Sequence, residues 1–140
     1  MESRVRRGAG EDGLVEQFQA GRLNVYVYES RSKMGAAAAA AVSAEIRRLQ
    51  GERGRAVGIF ASAPSQNEFL AGLAEAPGVD WSKVKGFHLD EYLGMEDSAP
   101  QSFRRFLLDR LVNKVDFGEF HGLRGEAEVE RAEAHGHDKD

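Results

Sequence analysis

From Leu23 to Leu123 the chain alternates short apolar runs with segments whose apolar residues return every third or fourth position. That alternation constrains the fold more than any other feature of the sequence. Leu23-Asn-Val-Tyr-Val-Tyr28 is an aromatic and β-branched run bounded by Gly21-Arg22 and Glu29-Ser30, and it predicts a first strand. Ser30 or Ser32 can cap the next segment, where Met34, Ala38, Val42, Ile46 and Leu49 recur at helical spacing and Gly51 closes the helix. The alanines from Ala36 to Ala41 favour that helix, and their small side chains allow close approach to a sheet. Arg55 to Ala61 reads as a second strand, followed by a helical face of Phe69, Leu70 and Leu73 that Ala76-Pro77-Gly78 stops. Lys85-Gly-Phe-His-Leu89 predicts a third strand. Phe103, Phe106, Leu107, Leu111 and Val115 then mark one face of a third helix, with Arg104, Arg105, Asp109 and Arg110 opposite, and Glu119 to Leu123 starts a fourth strand. Strands that alternate with helices pair in parallel through right-handed crossovers, so the expected class is α/β, a Rossmann-like three-layer fold with a mainly parallel sheet.

At 140 residues the chain suits one domain. Residues 1–20 read as a flexible leader with a short helical piece at Leu14 to Gln19, residues 21–123 as the α/β domain, and residues 124–140 as an acidic, frayed tail. The chain holds 19 Lys plus Arg and 23 Asp plus Glu; the stretch from Glu126 to Asp140 supplies the whole net charge of -4, which leaves the body neutral. Nucleic-acid binders that lean on phosphate contacts show a basic excess or stripe, and none is present beyond Arg4 to Arg7. The absence of cysteine removes disulfide scaffolds, thiol nucleophiles and cysteine-zinc sites together. No apolar run is long enough for a membrane span and none follows the N-terminal arginines, so the expectation is a cytoplasmic protein with no membrane partner.

Ligands of such sheets bind at the carboxyl ends of the strands, where two stretches fall. The first, Ser62 to Gln66, leads into Ser65-Gln-Asn-Glu68, which has the form of a capping box. A turn of small residues that opens a helix also presents N–H groups and a positive dipole end to an anion. It is neither a Walker loop nor a G-x-G-x-x-G loop, and Pro64 has no N–H to donate. The second stretch, Asp90-Glu91-Tyr92, sets adjacent carboxylates just beyond a strand, a placement suited to proton transfer, and of two adjacent acids only one is expected to point inward. Ser98-Ala-Pro-Gln101 has the form of a second capping box. His88 reads as a partly buried strand residue. His121, His135 and His137 lack partners at metal-site spacing, so neither a metal nor a cofactor is expected.

Taken together, Gly58-Ile-Phe-Ala-Ser-Ala-Pro-Ser-Gln-Asn-Glu-Phe-Leu70, Phe87-His-Leu-Asp-Glu-Tyr-Leu-Gly94 and Pro100-Gln-Ser-Phe103 resemble the glucosamine-6-phosphate deaminase and isomerase family. The resemblance runs from about Leu23 to Leu123 and covers the N-terminal half of that family's domain, so an incomplete half is expected, inactive alone. In the family the amino-sugar ring opens, a proton moves from C2 to C1, ammonia leaves, and the aspartate of Asp-Glu-Tyr accepts the proton. The resemblance therefore implies Asp90 as general base, in a water-poor pocket, with Glu91 and Tyr92 supporting the loop and Glu91 counted among the substrate-binding residues. It also implies that Ser62, Ala63, Ser65 and Gln66 hold a sugar phosphate. Where the deaminases read Thr-Gly-Ser-(Thr/Ser)-Pro, this chain reads Ser62-Ala-Pro-Ser-Gln66, one amide donor and one glycine fewer. The related 6-phosphogluconolactonases carry Arg after the Asp-Glu pair, so Tyr92 favours the deaminase branch over lactone hydrolysis. A third reading is a non-catalytic module whose exposed sheet edge drives homo-oligomerisation.

Overall fold

The computed structural model describes residues 4–5 and 12–125. The elements run β1 (Arg4–Val5), β2 (Leu14–Ala20), β3 (Leu23–Tyr28), α1 (Arg31–Arg53), β4 (Ala56–Phe60), α2 (Asn67–Ala74), β5 (Val84–His88), α3 (Phe103–Arg110) and β6 (Glu119–His121). They form two sheets: an antiparallel one, β1-β2-β3, and a parallel one, β4-β5-β6. The α/β class with a parallel sheet is what the alternation predicted, and Glu119–His121 supplies the expected last strand.

The N-terminal part departs from expectation. The stretch from Leu14 to Gln19 is extended, not helical, and pairs with β3 through the two-residue connection Gly21-Arg22. Gly21 sits at φ 60, a conformation glycine adopts without strain, and Gln19 Nε2 donates to Asn24 Oδ1 across the strands at 3.0 Å. An isolated helix of six residues is marginal, whereas a hairpin satisfies the same backbone groups in pairs. As a result β3 lies in the antiparallel sheet and is not the first strand of the parallel one. Arg4–Val5, also in the expected leader, pairs as β1 with Phe18 and Gln17 of β2, whereas residues 1–3 and 6–11, and the acidic tail from residue 126 with His135 and His137, lie outside the described residues.

Ser30 caps α1, its hydroxyl accepting from the Lys33 amide, and the helix ends at Gly54 in the left-handed region, one turn past Gly51. Its small face, Gly35, Ala39 and Ser43, packs on α2 and not on a sheet. A Cβ at Gly35 would stand 2.5 Å from Glu68 Cβ, and one at Gly72 would stand 3.0 Å from Ala39 Cβ. Ile46, Leu70, Leu73, Leu107 and Leu111 join Ala56, Phe60, Val84 and Trp81 in one buried cluster. α2 and α3 therefore bury their apolar residues against the same face of the parallel sheet, as right-handed crossovers between sequential strands require, and Ala39 and Ile46 of α1 join the same cluster. The opposite face carries Val57, 54% exposed, and Ile59, 67% exposed. Among the described residues no third layer covers it, although a parallel sheet is ordinarily buried on both faces. No described helix is long and apolar enough to cross a membrane.

At α3 the cap is Ser102, whose hydroxyl accepts from the Arg105 amide, while Ser98 turns to Glu96 and forms no capping box. The helix stops at Arg110, and Val115 is extended beyond a short 3-10 turn. Arg104, expected on the polar face, is buried, 3.9 Å from the Asp97 carboxylate.

Candidate active site

The parallel register pairs Phe60 with His88, and the Leu89 amide donates to the Phe60 carbonyl at 3.0 Å. The chains leaving β4 and β5 therefore start side by side, with Ser62 two residues past one paired position and Asp90 two past the other. This is the carboxyl end of the sheet, where α/β folds open a ligand crevice.

The β4 loop is not the helix cap its sequence resembles. Ala63 is extended, Pro64–Gln66 forms a 3-10 turn, and α2 begins at Asn67 with no side-chain cap. Ser65 is exposed. The Gln66 amide donates to the Ala63 carbonyl and the Asn67 amide to the Pro64 carbonyl, so the turn consumes donors that an anion would need. Ser62 is 8% exposed and its hydroxyl donates to the Phe103 carbonyl at 3.0 Å, which binds the loop to the start of α3. Arg31, which motif reading passed over, reaches this loop from α1. Its Nη2 lies 2.9 Å from the Pro64 carbonyl and 3.0 Å from Glu68 Oε2. No local motif marks Arg31, because only tertiary packing of α1 on α2 brings it there.

Asp90 and Glu91 differ in exposure and in partners. Asp90 is exposed and makes no hydrogen bond to another described residue, so the expected water-poor pocket around it is absent from the described part of the site. Glu91 is half-buried and accepts from the amides of Tyr92, Phe103 and Arg104, each at 3.0 Å, and from the Ser102 hydroxyl at 2.9 Å. Partial burial pushes its carboxyl upward, but the Arg104, Phe103 and Tyr92 amides and the Ser102 hydroxyl outweigh this and hold it below the ordinary glutamate value. Of the residues expected to bind substrate, Ser62 and Glu91 thus spend their polar atoms on α3, while Ala63, Ser65 and Gln66 line the open loop.

Behind the loops His88 is 4% exposed. Its Nε2 accepts from the Leu123 amide at 2.6 Å, which ties the chain after β6 to the end of β5, while its Nδ1 is buried without a partner among the described residues. Burial lowers its pKa first; Glu91 and Asp90 pull it up and Arg104 pushes it down, and the net is a lowered value. Among the described residues no group of three His, Asp or Glu could hold a metal ion.

No protein-family model matches the chain. A glucosamine-6-phosphate deaminase from Exiguobacterium sp. is 43% identical over 56 residues, 40% of this chain and 22% of that relative. One from Streptococcus pneumoniae is 38% identical over 77 residues, 51% of this chain and 32% of that one. The fold matches a 6-phosphogluconolactonase from Shewanella baltica with TM-score 0.66 at 20% identity, covering 81% of this chain and 50% of that one. It also matches a monomeric glucosamine-6-phosphate deaminase with TM-score 0.64 at 20% identity, over 76% of this chain and 44% of that one. The match spans about a quarter to a third of the length of these curated relatives and half or less of these solved structures. The chain resembles glucosamine-6-phosphate deaminases in sequence, and in fold both these and the 6-phosphogluconolactonases.

Proposed function

We propose that the chain carries the base-and-phosphate half of a glucosamine-6-phosphate deaminase-type site, which isomerises an amino-sugar phosphate with release of ammonia in the cytoplasm. The observation that carries this reading is the placement of Asp90 just after β5, beside the Ser62–Gln66 loop that follows β4, at the carboxyl end of a parallel sheet. Asp90 is the proton acceptor. Its carboxylate is exposed and is not hydrogen-bonded to a described partner, so it is available to a substrate C–H in a way that Glu91 is not. The Ala63 amide, the Ser65 hydroxyl and the Gln66 side-chain amide are the donors for the phosphate, beside an Arg31 guanidinium that is paired with Glu68. The reaction needs ring opening as well as proton transfer, and no described residue is assigned to that step. The chain alone is therefore expected to bind the sugar phosphate more readily than it turns it over.

Lactone hydrolysis is the second reading, supported by the fold match to a 6-phosphogluconolactonase. Tyr92 following Asp90-Glu91 favours the deaminase side. The test is thermal unfolding with and without glucosamine 6-phosphate, with ammonia release and 6-phosphogluconolactone hydrolysis assayed on the same sample. A ligand-dependent rise in the midpoint together with ammonia release supports the deaminase reading, and lactone turnover without ammonia supports the other. A midpoint indifferent to both sugar phosphates leaves the non-catalytic module.

A further inference from the structure

We propose that Glu91 is the positioning residue that fixes the direction of Asp90, by tying the loop after β5 to the first turn of α3. The assignment rests on the reading of Asp90 as the proton acceptor. Asp90 directly precedes Glu91 in the chain, so tethering Glu91 to α3 narrows the backbone conformations open to Asp90. Glu91 is held by four donors, and three of them, from Ser102, Phe103 and Arg104, belong to consecutive residues where α3 begins. The fourth, the Tyr92 amide, closes the loop on itself.

Phe103 serves both loops, since its carbonyl accepts from the Ser62 hydroxyl while its amide donates to Glu91. A single helical turn thus sets the phosphate loop and the base loop relative to one another. The charge matters as well as the shape. A carboxylate has two acceptor oxygens for four donors, whereas a glutamine would put an NH2 where an acceptor is required. The carboxylate also sits at the positive end of α3. Glu91→Gln therefore keeps the volume and breaks the tie.

The experiment compares isotopically labelled full chain with Glu91→Gln and Glu91→Asp. It reads thermal unfolding, amide exchange, the three-bond amide coupling of Asp90 that reports its backbone φ, and kcat and KM for glucosamine 6-phosphate. In Glu91→Gln, exchange at Tyr92, Phe103 and Arg104 is expected to rise about tenfold or more, the scale of losing a hydrogen bond to a charged acceptor. Gly58 and Phe87 keep their protection, the Asp90 coupling moves toward a conformational average, and kcat falls at unchanged KM. If stability falls while the Asp90 coupling and kcat stay as in the parent chain, Glu91 only caps α3 and the proposal is overturned. Should Glu91→Gln fail to fold, Glu91→Asp, one methylene short of the amides, is read by the same signals. Where the parent chain shows no turnover, the Asp90 coupling alone decides whether Glu91 orients that residue, and a midpoint indifferent to glucosamine 6-phosphate separately removes the sugar-phosphate reading.

Discussion

The Asp90 and Ser102 side chains bracket the range of what one substitution does here. Asp90 is exposed and supports no described contact, so Asp90→Asn is expected to abolish ammonia release while its unfolding midpoint stays within the spread of a surface change, about 0.5 kcal/mol. Unchanged turnover in that variant would remove Asp90 as the base. Ser102 is 1% exposed, accepts from the Arg105 amide and donates to Glu91. Ser102→Ala is expected to cost about 1–3 kcal/mol, as a lost cap plus a buried acceptor left short of a donor. Ser65→Ala, by contrast, is expected to be near neutral in stability, because Ser65 caps nothing in the fold. Comparing the two by urea unfolding decides which serine is structural. His88 adds a pH dependence. Its folded pKa is lowered, chiefly by burial, so the unfolded chain binds the proton at higher pH than the folded one does. The stability His88 contributes is therefore present above the ordinary histidine value of about 6.5 and declines as pH falls through it. Replacing His88 by Asn should flatten the difference between unfolding at pH 7.5 and at pH 5.5, a window above that in which Glu91 titrates. Equal slopes in parent and variant would contradict the assignment. The motif positions of Asp90 and Ser62 were legible in the sequence; the commitment of Glu91 and Ser62 to α3 was not, because it depends on a contact between residues some ten and forty positions apart.

The helices were legible because each has a local signal. Ser30 caps α1, although the buried face of that helix is Gly35, Ala39, Ser43 and Ile46, largely one residue along from the expected Met34-Ala38-Val42 series, which leaves Met34 exposed. The strands β4, β5 and β6 fall where apolar runs predict them. What failed had a tertiary cause. Ser65-Gln-Asn-Glu68 and Ser98-Ala-Pro-Gln101 both have the form of a capping box, yet Pro64 draws the first into a 3-10 turn, and Ser98 of the second turns to Glu96 while the helix starts five residues later under Ser102. The β2–β3 hairpin was missed because Leu14 to Ala20 has no strict alternation to separate strand from helix. The contact between α1 and α2 gives a test at this scale. A Cβ at Gly35 meets Glu68 Cβ and its backbone carbonyl carbon at 2.5 and 2.9 Å, so Gly35→Ala must push two helices apart. The expected cost is about 1–3 kcal/mol. Gly51, in the same helix with nothing within 4 Å of an added Cβ, is its control. Gly51→Ala is expected to stabilise by roughly 0.5–1 kcal/mol through helix propensity alone. If denaturant midpoints move the same way in both, the close packing of α1 on α2 is not what limits stability.

The largest departure from an ordinary α/β domain belongs to the whole molecule. Sequential strands with right-handed crossovers put α2 and α3 on one face of β4-β5-β6, where α1 joins them in the core, so the other face must be covered by something else or remain bare. Among the described residues it is bare, and Val57, Ile59 and the half-exposed ring of Phe87 stand on it in register across β4 and β5. β4 is also the outer strand of its sheet, and Ala56-Val-Gly-Ile-Phe60 has no charge, proline or bulge to discourage pairing. An apolar face next to an unguarded edge favours association over solubility as a monomer. Sedimentation velocity is therefore expected to show mass rising with concentration. Val57→Lys with Ile59→Lys should suppress that rise with little loss of unfolding midpoint, since both side chains are already more than half exposed. A monodisperse monomer at every concentration would show that the face is tolerated bare. Association that survives both lysines would place the contact elsewhere, with the exposed residues of the β2–β3 hairpin, Val15, Leu23 and Tyr26, as the next surface to change.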